Sequence, residues 1–143
     1  VTGSEDCIQR TEIVVTGDLN VTGIPDAQGK LPAIVGGGSN RHFFVKAGGH
    51  LVIRNLNLTG GDVSAAEENG GSVLVDGGRF TAFDSVLTRN KASAGGSVAA
   101  INKGDLMFNC CNITLCITTE WGGGGIYADL ESKVTLFYTT ETL

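Results

Sequence analysis

Proline occurs only twice in these 143 residues, and Phe, Trp and Tyr together supply 6% of the chain. Two prolines exclude a proline-rich disordered linker. So few aromatics suit many thin layers better than one thick core. Basic residues are short as well: 10 Lys and Arg stand against 15 Asp and Glu, a net charge of −5. With no basic stripe to neutralise phosphates, a nucleic-acid partner is disfavoured. No run of about 18 apolar residues is present, so no segment reads as membrane-spanning. No signal peptide is visible, and the chain opens at Val1 rather than methionine, which reads as a processed or truncated product. The length is that of one domain, or one piece of something longer, and residues 1–143 are read as a single unit.

Glycine is what the chain has in excess. Its 22 glycines are about twice the usual share, without the strict triplet of collagen. Four turns, each followed by a short apolar strand, recur at nearly constant spacing: Gly48-Gly49-His50-Leu51-Val52-Ile53, Gly77-Gly78-Arg79-Phe80-Thr81-Ala82, Lys103-Gly104-Asp105-Leu106-Met107-Phe108 and Ser132-Lys133-Val134-Thr135-Leu136. Their leading apolar residues, Leu51, Phe80, Leu106 and Val134, lie 29, 26 and 28 positions apart. A period of that size with no helical pattern inside it predicts a stacked solenoid. Within each repeat, apolar and polar residues alternate as half-buried strands require. Leu51, Ile53, Leu56 and Leu58 point inward, matched by Phe80, Ala82, Ser85 and Leu87, then by Leu106, Phe108, Cys111 and Ile113. Cys111 therefore fills a core slot, and Cys110 faces outward at a corner.

A second motif starts another strand in each repeat: Gly70-Gly71-Ser72-Val73, Gly95-Gly96-Ser97-Val98 and Gly123-Gly124-Gly125-Ile126. Paired glycines permit the strained backbone of a tight corner. The expectation is an all-β fold, a right-handed parallel β-helix of about five rungs with three short strands per rung. Residues 62–69 form the longest insertion, polar and acidic, expected to project as a solvated loop. Residues 1–10 are expected to cover the first rung. After Leu136-Phe137-Tyr138 no cap follows, so further rungs or a protein partner are expected at the C-terminal end.

Four cysteines permit three complete pairings, and their spacing is not that of a zinc site. Cys7, Cys110 and Cys116 are the disulfide candidates, Cys7 as a staple for the N-terminal segment. Three N-glycosylation triplets occur, at Asn20-Val21-Thr22, Asn57-Leu58-Thr59 and Asn112-Ile113-Thr114. All three asparagines fall on predicted outward positions. Sequons and cysteines together point to the secretory route, hence an extracellular or cell-surface location.

Catalytic chemistry finds little support. A polysaccharide hydrolase or lyase needs converging carboxylates. In the repeat register Asp76 aligns with Asn102 and then Leu130, so no acidic column forms. Asp62, Glu67 and Glu68 bunch in one loop with no basic partner at matching rungs. No catalytic residue, metal or cofactor is assigned, Asp76 and Asp129 being the nearest approach to a calcium site. His42 and His50 lie near corners with no nucleophile placed by any motif. Gly122 to Gly125 lacks the ending of a phosphate loop and reads as a corner. Trp121 beside it could stack on a sugar or cover a rung edge. Flat threonine rows of the ice-binding kind are not found in the outward columns Val52, Thr81, Met107, Thr135 or Asn57, Val86, Asn112, Thr140.

The paired-glycine motifs and the corner Leu87-Thr88-Arg89-Asn90 resemble the polymorphic-outer-membrane-protein type of parallel β-helix. In the next copy Cys116 replaces the asparagine, following Ile113. Gly17-Asp18-Leu19 and Leu56-Asn57-Leu58-Thr59-Gly60-Gly61 are similar to the openings of such helices. The resemblance spans nearly the whole chain and implies adhesins or surface proteins rather than any one activity. The cysteines depart from most bacterial members. With the sequons they suggest a eukaryotic secreted relative, of algal or protist kind. The expected role is a non-catalytic structural or interaction segment of a secreted, surface or filament protein. A polysaccharide-binding or polysaccharide-cleaving β-helix is the alternative.

Overall fold

The structure, a computed structural model, describes residues 6–120 and 122–142. After β1 (Cys7–Gln9), the chain makes five turns of a parallel β-solenoid. They are β2 (Ile13–Val15), β3 (Asp18–Thr22) and β4 (Ala33–Gly36); then β5 (Phe43–Val45), β6 (His50–Arg54) and β7 (Asn57–Thr59). The third turn holds β8 (Val73–Asp76), β9 (Arg79–Phe83), β10 (Val86–Thr88) and the short β11 (Lys91–Ala92). The fourth holds β12 (Val98–Ile101), β13 (Asp105–Asn109), β14 (Asn112–Thr114) and β15 (Ile117–Thr118). The fifth holds β16 (Ile126–Ala128), β17 (Lys133–Phe137) and β18 (Thr140–Thr142).

Every strand pairs with its counterpart one turn away, which builds three long parallel sheets and a two-stranded one, β11-β15. Sheet 1 runs β1-β4-β7-β10-β14-β18, sheet 2 runs β2-β5-β8-β12-β16, and sheet 3 runs β3-β6-β9-β13-β17. Leu51, Phe80, Leu106 and Val134 are register partners, so the repeat read from the sequence is the rung. Each rung advances the solenoid by about 4.8 Å, the spacing of neighbouring strands.

The core consists of stacked columns. Leu51, Phe80 and Leu106 form one, Ile53, Ala82 and Phe108 the next, and Leu58, Leu87 and Ile113 a third; all are completely buried. Large and small residues compensate: Ala82 leaves room for the rings of Phe80 and Phe108, which meet edge to face at 5.6 Å and 86°. The inward slot Leu56–Ser85–Cys111 turns polar along the axis. Ser85 Oγ donates to Phe83 O at 2.7 Å, and Cys111 Sγ to Asn109 O at 3.4 Å.

Left-handed residues turn the corner between sheets 3 and 1. Asn55, Asp84, Cys110 and Tyr138 all have φ between 46° and 54°, one above another in four successive rungs. That backbone disfavours most side chains and is best tolerated by Gly, Asn and Asp. It also sends the side chain outward, which accounts for the exposed Cys110.

Candidate functional site

At the corner leading into sheet 2, polar side chains turn into the interior. His42 is fully buried; its Nε2–H donates to Ile34 O at 3.0 Å, so its Nδ1 accepts from Ser72 Oγ, also at 3.0 Å. Burial lowers the His42 pKa to about 4, against the opposing effect of the backbone carbonyls of Ile34 and Thr59. The sequence reading placed no nucleophile beside a histidine; the fold does, but Ser72 is fully buried too. No substrate reaches that pair without opening the solenoid, and its chemistry is that of a clamp between rungs.

Asn90, the last residue of the Leu87-Thr88-Arg89-Asn90 corner, is a second clamp. Its Oδ1 accepts from Gly61 N at 2.9 Å, while Nδ2 donates to Leu58 O at 3.1 Å and Ser97 Oγ at 3.3 Å. One rung on, the slot belongs to Cys116, whose thiol is directed at Thr114 O and Leu87 O. Burial pushes the Cys116 and Cys111 thiols up, so both are poor nucleophiles and serve as short polar fillers.

The cysteines form no disulfide among the described residues. Cys7 extends the inward column of Ile34, Leu58, Leu87 and Ile113. Four rungs, about 19 Å, separate it from the level of the other three, far beyond the reach of a disulfide. Cys110 and Cys116 occupy corners at opposite ends of β14, one outward and one inward. The expected staple from Cys7, Cys110 and Cys116 is therefore corrected by topology: parallel stacking places distant sequence positions on distant rungs.

The sequon asparagines divide between two faces. Asn20 is exposed in the middle of β3 on sheet 3. Asn57 and Asn112 share one outward column of sheet 1, with Val86 between them. Asn112 is exposed and accepts from Thr140 Oγ1 at 3.1 Å. Asn57 is half-buried and lines a hollow of about 380 Å³ beside Lys30 and Arg89, and its Oδ1 has no hydrogen-bond partner among the described residues. The same sheet holds a row missed in the sequence: Thr59, Thr88, Thr114 and Thr142 stack on four rungs, with Thr114 Oγ1 donating to Thr88 Oγ1 at 3.3 Å.

The acids remain dispersed. The true column is Asp76–Ile101, because the corner of the third rung is one residue shorter than that of the fourth. Asn102 then joins the two aspartates: its Nδ2 donates to Asp76 Oδ1 at 2.7 Å and its backbone N–H to Asp129 Oδ2 at 2.8 Å. A hydrogen bond from Ser132 holds the Asp129 carboxyl below its usual range, with the Asn102 N–H adding to it. Among the described residues no three His, Cys, Asp or Glu side chains converge as metal ligands. Trp121 lies outside the described residues. The insertion at 62–69 exposes residues 65–68 to solvent, but its acids do have a basic partner, which ties it down. Buried Arg41 pairs with Glu68 and, at 3.0 Å, with Glu12, and donates to Asn69 O at 2.9 Å.

The two ends of the stack are the remaining feature. In β17, Val134 and Leu136 continue fully buried columns but are 37% and 47% exposed. At the other end Ile13, register partner of buried Phe43, is 44% exposed. Glu141 takes the inward position above Ile113 in β18, and its Oε1 accepts from Gly125 N at 2.9 Å. Among the described residues no helix is long and apolar enough to cross a membrane.

Among the described residues the chain is a five-turn parallel β-solenoid with three long sheets, whose end strands pair on one side only. Compared with family models, curated proteins and solved structures, the chain matches none.

Proposed function

We propose that this chain is a structural and interaction segment of a secreted, cell-surface or filament protein, non-catalytic, joined to further rungs or a partner through its open ends. The observation that carries this reading is the last rung, where Val134 and Leu136 stack on Leu106 and Phe108 on one side and are uncovered on the other, beside strands with one edge unpaired among the described residues. Unpaired parallel edges and exposed apolar columns recruit another rung. The paired-glycine corners and the Asn90 clamp support kinship with the polymorphic-outer-membrane-protein type of β-helix. Asn20 and Asn112, exposed on separate faces, would accept N-linked glycans; Asn57 would need its hollow to open. Glu141 makes one side of the C-terminal end polar, so what stacks there should supply a hydrogen-bond donor.

Native material tests this by intact mass and peptide mapping before and after N-glycan removal, together with sedimentation over a concentration series. Glycans on these asparagines, with either further rungs in the same chain or association lost in Leu136→Lys, support the reading. An unglycosylated chain that stays monomeric and binds no partner at either end would overturn it.

A further inference from the structure

The outward face of sheet 3 forms a groove of about 520 Å³ along the solenoid axis. Register builds it in columns. Thr81, Met107 and Thr135 are stacked on its floor, and the first and fifth residues of each strand are its walls. Thr81 faces outward yet is only 4% exposed, with its Oγ1 3.1 Å from His50 Nε2. On one wall the Arg54 guanidinium lies 3.9 Å over the Phe83 ring. Stacking fixes the plane of the guanidinium and leaves its in-plane N–H groups directed outward, as bidentate carboxylate binding requires.

Charge points the same way. Arg79 is paired with Asp105 at 3.3 Å, but Arg54 and Lys133 make no ion pair among the described residues, in a chain of net charge −5. These two cations stand on opposite walls, three rungs and so about 14 Å apart along the axis. Beneath it β6, β9 and β13 are hydrogen-bonded on both sides and only β17 and β3, at the two ends of the stack, have an unpaired edge; a chain lying along the axis crosses the strands and cannot add to them as a further strand. Recognition here rests on side chains alone: the hydroxyl of Thr135, apolar surface at Met107 and Phe137, and two free cations. That set suits a chain of hydroxylated rings bearing carboxylates.

We propose that this groove binds an extended acidic polysaccharide, a polyuronate, lying along the axis with carboxylates at Arg54 and Lys133. The site is on the flank of the solenoid, so it is separable from stacking at the ends.

Isothermal titration of the whole chain with a galacturonate hexamer, alongside NMR shift mapping, tests the proposal. Expected are saturable binding that weakens with salt, shifts on β6, β9, β13 and β17, and affinity lowered about tenfold or more in Arg54→Gln/Lys133→Gln. Lys46→Gln, at the corner after β5 and outside the groove, should leave the affinity unchanged. Both groove cations are exposed, and circular dichroism checks that the double variant folds. Absence of saturable binding, shifts confined to another face, an affinity the double variant retains, or equal binding of polyglutamate each overturn the polyuronate assignment; the last would assign the groove to acidic peptide.

Discussion

His42 shows how one residue ties the solenoid to pH. Its neutral ring fills both roles the site offers, donating to Ile34 O and accepting from Ser72 Oγ. Protonation would put a second N–H against the Ser72 hydroxyl and a charge in the core. The folded-state pKa is lowered to about 4 from an ordinary 6.5, chiefly by burial. Between those values the unfolded chain therefore binds more protons than the folded one. The stabilisation is complete above pH 6.5 and is lost as pH falls from there towards 4. A shift of that size corresponds to roughly 3 kcal/mol. Denaturant unfolding at several pH values should show this slope, and His42→Gln should flatten it across the same window. An equal slope in both proteins would mean that other groups carry the acid sensitivity. Cys110 shows the other way in which a single position is governed by backbone: a left-handed corner fixes it outward whatever its chemistry.

At the scale of elements, Arg41 does what no strand does, since it joins the first rung, the second rung and the insertion of the third. Its guanidinium is 4% exposed, pairs with Glu12 and Glu68, and lies over the Phe44 ring at 5.7 Å. The two carboxylates are partly exposed, so Arg41→Ala leaves no buried charge, and the cost should be about 1–3 kcal/mol. The insertion should loosen first: cleavage by a Glu-specific protease after Glu67 or Glu68 should speed up well beyond the change in global stability. Unchanged cleavage would show that Val63 and the Asp62–Lys91 bridge suffice to hold the insertion. This contact also marks a limit of sequence reading. Alternation revealed the strands and the inward residues from Leu51 to Ile113, because a period of two is a local property. The column of Asp76 was misplaced by one residue, since counting back from Arg79 and Asp105 assumes corners of equal length. Arg41–Glu68, His42–Ser72 and the groove flanked by Arg54 and Lys133 depend on which rungs face each other. That follows from corner lengths, which vary here between neighbouring turns. The threonine row on sheet 1 was visible in principle, two residues beyond the Asn57 column.

For the whole molecule, stability follows from stacking. A rung contacts only its neighbours, so an interior rung is stabilised from two sides and an end rung from one. The same side-chain deletion should therefore differ in cost with position. Phe80, completely buried between Leu51 and Leu106 and in edge contact with Phe108, should cost about 3–5 kcal/mol on truncation to alanine. Leu136 stacks on Phe108 alone and is 47% exposed, and Leu136→Ala should cost roughly 1 kcal/mol. Native-state hydrogen exchange should follow this gradient, with the amides of β9 and β13 slowest and those of β18 fastest. The comparison also bears on assembly. If a rung or partner covers the C-terminal end in native material, Leu136 becomes an interior residue. The cost of Leu136→Ala should then rise towards that of Phe80→Ala as protein or partner concentration increases. A cost at Leu136 that stays low at every concentration would leave the solenoid as a rigid module that works through its flanks.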